Sequence, residues 1–353
     1  MSEKVLSKFR LKKVSKSRVL NIANPILAVL IALIVSGLFV LISGGNPINA
    51  FAAIFKGAFG SPSAIRSTFR YALPLLLLAI CFTMSNRCGY FNVGQEGQIY
   101  ASALAITTIE VLFGGKIPNA LLFIIMLVVG MIVGGFVSFI PAYLKAELNA
   151  NECVTGIILN YIFLKLSDYM LQNTALHKPN ANTSMSVNYS VKLPGMALAI
   201  GGIALVILYA FFMKKTVAGY RLRVTGSNPL FARFAGIDSV KMMFLAGILS
   251  GMLASVVSTG ELTGIYRCFY YNYEDGMGFT AMTVALIGKQ NVGGMIFGAL
   301  LLGALQSGSI GLSISKGASP EIVIIVRGFI MLFGTISVLQ YIIRERKGKG
   351  GEK

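Results

Sequence analysis

Apolar residues run along this chain in long blocks rather than in alternation or in a one-sided helical stripe. The blocks are separated by short polar or basic segments. Many reach the length that crosses a bilayer core of about 30 Å. Ten spans are predicted, at 25–43, 71–85, 95–113, 120–144, 153–171, 195–213, 242–259, 278–290, 293–312 and 320–342. The second and eighth are short, as in broken or re-entrant helices. The predicted fold class is an all-α polytopic membrane protein, with a permease domain over 25–342 between basic tails at 1–24 and 343–353.

Composition sharpens this reading. Hydrophobic residues make up 55% of the 353 positions and charged ones only 12%, about half the charge of an ordinary soluble domain. The net charge of +18 would suit nucleic acid, but its distribution argues otherwise, and no nucleic-acid partner is expected. Of the 31 Lys and Arg residues, 21 fall in tails and loops of one proposed side and 8 on the other. By the positive-inside rule both termini are cytoplasmic, in a bacterial inner or cytoplasmic membrane. Residues 1–24 carry seven Lys/Arg, and the following apolar run is too long for a signal-peptide core, so it reads as an uncleaved first span.

Several chemistries lack their residues. Four cysteines without C-x-x-C spacing and a single histidine, His177, give no metal site and no nucleophilic triad. No phosphate-cradling G-x-x-x-x-G-K-[ST] occurs, and membrane-embedded acids are too few for a proton relay. The chain is expected to be non-catalytic and to bind no cofactor of its own.

Four stretches stand out. In "GYFNVGQEGQ" (89–98), Gly94, Gly97, Gln95, Glu96 and Gln98 open the third span. They read either as a helix-start cluster, with Glu96 facing the helix dipole, or as part of a substrate path with Asn92. In "NANECVTGIILNYI" (149–162), Asn149, Asn151 and Glu152 mark a helix start. Asn160 within the fifth span makes an interhelical hydrogen bond or faces the path. In the loop 214–241, Asn228-Pro229 starts a short helix that Gly236 stops, and Leu230, Phe231 and Phe234 give it an apolar face for a cytoplasmic partner. Residues 274–309 pack Gly288, Gly293, Gly294, Gly298 and Gly303 into two short spans. "DGMGFTAMTVALIG" there parallels "VGQEGQIYASALAI" in spans of opposite direction, as an inverted repeat would.

These segments, with "NPINAFAAIFKGAFGS" (46–61), "GYRLRVTGSNPLFARFAGI" (219–237) and "GFTAMTVALIGKQNVGGMIFGALLLGALQSG" (278–308), resemble the permease subunits of ATP-binding cassette importers of the ribose/branched-chain amino acid type. "FNVGQEGQ" and "NEC…LNYI" are most similar to nucleoside permeases. The resemblance implies a type II importer-like fold and a translocation path for nucleosides. It also implies a separate cytoplasmic ATPase that uses ATP, a second permease subunit in a heterodimer, and an extracytoplasmic substrate-binding lipoprotein. Loop 219–237 would hold the coupling helix. Asn228, Arg233 and Gly236 would orient it, Leu230, Phe231 and Phe234 would supply contact, and Arg223 and Gly226 would complete the segment. Where such permeases read N-N-P-x-G, this chain has "KQNVGG", with Val292 at the proline position. A different turn is expected there. The alternatives are the same importer carrying a simple sugar such as ribose, and a proton- or sodium-coupled secondary transporter.

Overall fold

The computed structural model describes residues 30–42, 46–177, 186, 188–273, 276–314, 324–326, 328–329 and 332. Both basic tails, the start of the first span and most of the tenth span lie outside the described residues. The described chain is almost entirely helical. Its elements are α1 (Leu30–Ile42), α2 (Pro47–Phe59), α3 (Pro62–Asn86), α4 (Gln95–Phe113), α5 (Asn119–Leu148), α6 (Glu152–Asn173), α7 (Gly195–Lys215), α8 (Val217–Ser227), α9 (Pro229–Phe234), α10 (Ser239–Glu261), α11 (Met277–Ile287) and α12 (Val292–Ile314). A π-turn, Leu262–Tyr266, extends α10. Among the described residues there is no strand ladder, only an isolated bridge between His177 and Ser186.

Six described helices are long and apolar enough to cross a membrane: α3, α5, α6, α7, α10 with its π-turn, and α12. α1 and α11 are apolar but shorter. Two expectations change. The second span is not short, because α3 runs for 25 residues from Pro62. Arg66 and Arg70 lower the hydropathy of its first turns without interrupting the helix. The third span, α4, is a 19-residue helix that is not among those six. It packs between α5, α6 and α10 and is buried on most of its circumference. A helix enclosed by protein can carry polar groups that a lipid-facing helix cannot. α11, with 11 residues, is short as expected; at 1.5 Å per residue it covers roughly half a bilayer core.

The helices form two compact units. One holds the described residues up to Ala72, Leu286–Lys289 and those from Leu300 on. Within it, Asn46 caps α2 by accepting from Ile48 N–H at 2.9 Å. Thr68 donates to Ala58 O at 2.8 Å, and Ser307 to Gly57 O at 3.2 Å. These bonds satisfy the polar groups where α2, α3 and α12 meet.

The other unit spans Leu73–Ala285 and Gln290–Ala299. Its principal packing is α10 on α5. Gly251 sits against the carbonyl of Gly134, leaving no room for a side chain. With lipid as apolar as leucine, such close backbone approach is what associates membrane helices. Outward faces of α5, α6 and α7 carry Ile132, Phe136, Ile162, Ile203 and Ile207, all exposed, as a lipid-facing surface would. Asn149 adopts a left-handed conformation (φ 49°) that ends α5. Asn151 caps α6, accepting from Cys153 N–H at 3.0 Å. α12 begins at Val292, just after Asn291. The proline of the resembled motif would stand at that first helical position, where the N–H needs no intrahelical partner; valine serves there as well.

Candidate functional site

The segment after α3 turns back into the second unit. Gln95 donates from Nε2 to Leu78 O at 2.8 Å. Leu78 lies eight residues before the end of α3, about 12 Å along its axis. α4 therefore starts well inside the helix bundle rather than level with the end of α3.

At that depth a polar cluster forms. Asn92 donates to Ser250 Oγ on α10 at 2.9 Å, and Ser250 donates to Cys81 O on α3 at 3.0 Å. Gln98 Nε2 donates to Asn92 Oδ1 at 3.0 Å, and Gly94 N–H donates to the same oxygen at 3.1 Å. Asn160 on α6 accepts from Gly97 N–H at 2.7 Å and donates to Val93 O at 3.0 Å. Gly156 lies against Gly94, which lets α6 approach closely enough for both bonds.

The structure thus brings Asn92, Gln95, Gln98 and Asn160 together, all buried. Their polar atoms bind backbone and side chains of neighbouring helices. Asn160 takes the interhelical-bond reading. Gln95 Oε1 is buried without a hydrogen-bond partner among the described residues. Glu96, in the first turn of α4, is half-buried. The cap position before it, Gly94, makes no side-chain bond. Gly278, at the start of α11, lies against Cγ of Glu96, so two helix N-termini meet at this carboxylate.

The predicted coupling segment forms a second site. Asn228 caps α9, accepting from Phe231 N–H at 2.9 Å. Pro229 takes the first helical position, and Gly236 (φ +73°) follows the helix. On this one-and-a-half-turn helix Leu230, Phe231 and Phe234 are 65%, 56% and 83% exposed; Arg233 is also exposed. A helix the sequence reading did not anticipate, α8, precedes it. Gly226 packs on the turn at Arg87–Gly89. Arg87 donates to Gln290 O at 2.9 Å. Arg87, Arg223, Gly226, Asn228, Phe231 and Gln290 border an open cavity of about 710 Å³. Segments that the charge count assigns to one membrane side therefore lie together.

The far end has its own anchor. Glu110, near the end of α4, accepts from Ser190 N–H and Ser190 Oγ, both at 2.7 Å. Thr107 and Tyr189 share a hydroxyl bond of 2.6 Å. Ser186 and residues 188–193 also pair with 263–269: Tyr189 N–H donates to Arg267 O at 2.8 Å and Ser186 N–H to Phe269 O at 2.6 Å. Below this strap lies a cluster that sequence reasoning missed: Tyr100, Tyr266, Phe269, Tyr270 and Tyr273, with ring centroids 5.4–6.3 Å apart. The signal was "YRCFYYNY" (266–273), with five aromatics in eight positions.

No group of three or more metal-ligating side chains occurs among the described residues. The family comparison decides what such a bundle is. Residues 64–335 match the model described as "Branched-chain amino acid transport system / permease component". The chain belongs to this permease family. It is a multi-pass membrane protein. It is 32% identical over 327 residues to the nucleoside ABC transporter permease protein NupB of Lactococcus lactis subsp. cremoris, covering 88% of this chain and 89% of the relative. It is 27% identical to the guanosine ABC transporter permease protein NupP of Bacillus subtilis, covering 94% and 99%. It is also 27% identical to the glucose ABC transporter permease protein TsgB13 of Haloferax volcanii, covering 88% and 86%.

Proposed function

We propose that this chain is a permease subunit of an ATP-driven importer and forms part of the passage for nucleosides. The observation that carries the energetics is α9, a capped short helix whose Leu230, Phe231 and Phe234 stand in the open beside α8. Such an apolar face suits the groove of a cytoplasmic ATPase, which would bind the ATP. Membership of the permease family and the nucleoside and guanosine permeases among its relatives favour the cargo. A second, different permease subunit and an extracytoplasmic binding lipoprotein complete the assembly, and both termini face the cytoplasm. Ten spans in an inverted repeat remain the architecture best suited to this role. The short α11, meeting the start of α4 at Gly278 and Glu96, supports it.

In this reading Glu96 faces the passage, while Asn92, Gln95, Gln98 and Asn160 hold the start of α4 in place. The glucose permease among the relatives favours the second reading, an importer of a simple sugar. Uptake of radiolabelled guanosine, adenosine, uridine, ribose and glucose into vesicles carrying the assembled transporter separates them. Nucleoside uptake that needs ATP and the ATPase is expected. Sugar uptake alone overturns the cargo. Uptake without the ATPase, following a proton or sodium gradient, overturns the importer.

A further inference from the structure

The cavity of about 710 Å³ beside α9 carries charge of one sign. Arg87 and Arg223 border it, and among the described residues no carboxylate does. Neither arginine has an acidic partner there, for the ion pairs among the described residues are Lys145 with Glu152 and Lys241 with Asp238. Both arginines are half-buried. A half-buried charge gives up part of its hydration, a cost that an opposite charge offsets. Arg87 spends one donor on Gln290 O, at 2.9 Å; a guanidinium has several more in a fixed fork.

The walls come from three segments of the second unit: the end of α3, the α8–α9 pair and the turn before α12. They are held in place. Arg87 N–H donates to Thr83 O at 2.9 Å, and Gly89 N–H to Asn86 O at 3.0 Å. Gly226 lies against the Arg87 carbonyl with no room for a side chain. Phe231 is 56% exposed. It belongs both to the apolar face of α9 and to the cavity wall. A partner that buries α9 therefore also lies over the cavity, and charge complementarity sets what it must present. The volume falls in the range of cavities that take up whole ligands, about 300–1,000 Å³, so a loop fits as well as a lone side chain.

We propose that this cavity is a second docking point for the cytoplasmic ATPase and takes a carboxylate-bearing loop of that protein. An Asp or Glu of the loop pairs with Arg223 and with the remaining donors of Arg87, and Tyr220 and Phe231 flank it. The proposal rests on the reading of α9 as the docking helix. Its consequence is a direct contact between the ATPase and the end of α3. Arg87 is followed five residues later by Asn92, which donates to Ser250 on α10. Movement of the ATPase then reaches the buried start of α4 along this short stretch as well as through α9.

The test uses the complete membrane assembly in nanodiscs, with the ATPase titrated onto it at several sodium chloride concentrations. Arg223→Gln is expected to weaken binding about tenfold at low salt, the scale of a lost charged hydrogen bond, and to flatten the salt dependence. Arg87→Gln is expected to act in the same direction. Arg223→Lys keeps the charge and should keep most of the salt dependence. Arg221, exposed on α8 but outside the cavity, is the control: Arg221→Gln should change binding no more than about twofold. Wild-type affinity and salt dependence in Arg223→Gln overturns the proposal. Equal loss in Arg221→Gln also does, since a diffuse positive field would then suffice. Inorganic phosphate that binds the assembly through Arg223 without competing with the ATPase overturns it in favour of a small-anion site. Should Arg87→Gln fail to fold, Arg223→Gln decides alone. Undiminished binding in Phe234→Ser overturns the docking reading of α9 itself. Loss in Phe234→Ser with none in Arg223→Gln overturns only the second contact.

Discussion

Asn160 and Gly97 are joined across two helices: the amide oxygen of Asn160 accepts the Gly97 N–H at 2.7 Å while its nitrogen donates to Val93 O. One side chain on α6 thereby satisfies both a donor and an acceptor of the irregular backbone where α4 begins. Asn160→Leu would leave both backbone groups buried and unpaired, at roughly 1–3 kcal/mol each. Thermal unfolding of the purified protein should show a clearly lowered midpoint. An unchanged midpoint would mean that the two groups find other partners.

Packing of α5 on α10 depends on absent side chains. Any substitution of Gly251 must displace the Gly134 carbonyl and the Ser138 side chain. Gly251→Leu is expected to cost about 1–3 kcal/mol or more by overpacking and to reduce the folded fraction on size-exclusion chromatography. Gly195→Leu is the control, because a Cβ there meets nothing. Equal behaviour of the two variants would refute the close-contact argument.

The cap of α9 can be separated from its docking face. Asn228→Ala removes the acceptor for Phe231 N–H and should weaken the short helix by about 1 kcal/mol. Phe234→Ser leaves the cap intact and removes the most exposed of the three apolar side chains. Both should reduce capture of the ATPase in pull-down, with the second leaving the melting temperature unchanged. Full ATPase capture by Phe234→Ser would count against α9 as the docking element.

Glu110 ties the strap to α4. Glu110→Leu removes the acceptor of two 2.7 Å bonds from Ser190. Hydrogen exchange across 188–193 should speed up, while the helical core keeps its protection. Glu110→Gln retains an oxygen acceptor and should give a smaller change.

A pH dependence is expected at the start of α10. Asp238 accepts Lys241 N–H at 3.1 Å and pairs with Lys241 Nζ at 3.1 Å. These bonds hold its carboxyl below the usual carboxylate range. Because the folded value is the lower one, the cap's contribution is complete above the ordinary carboxylate range. It is lost as pH falls through the lowered folded value. Exchange of the amides in the first turn of α10 should rise over that acidic window, and Asp238→Asn should abolish the rise.

Local signals in the chain carried much of this. Long apolar blocks announce membrane helices because a bilayer tolerates few alternatives. Asn151, Asn228-Pro229 and Gly236 announce helix ends because capping is decided within four residues. The exposed face of α9 follows from the same short range. The length of α3 and the existence of α8 were less legible, since Arg66, Arg70, Arg221 and Arg223 lower hydropathy without opposing helix formation.

What the residues by themselves determined was therefore the class, the helix ends and the family. Each depends on neighbours in sequence or on motifs that can be read in line. Tertiary structure alone decided that α4 is enclosed, that Asn92 meets Ser250 across 158 positions and that Tyr100 joins Tyr266–Tyr273. Hydropathy counts each residue's own affinity for water. It does not register which helix will stand beside it, and at the start of α4 that neighbour supplies the hydrogen bonds a buried polar group requires.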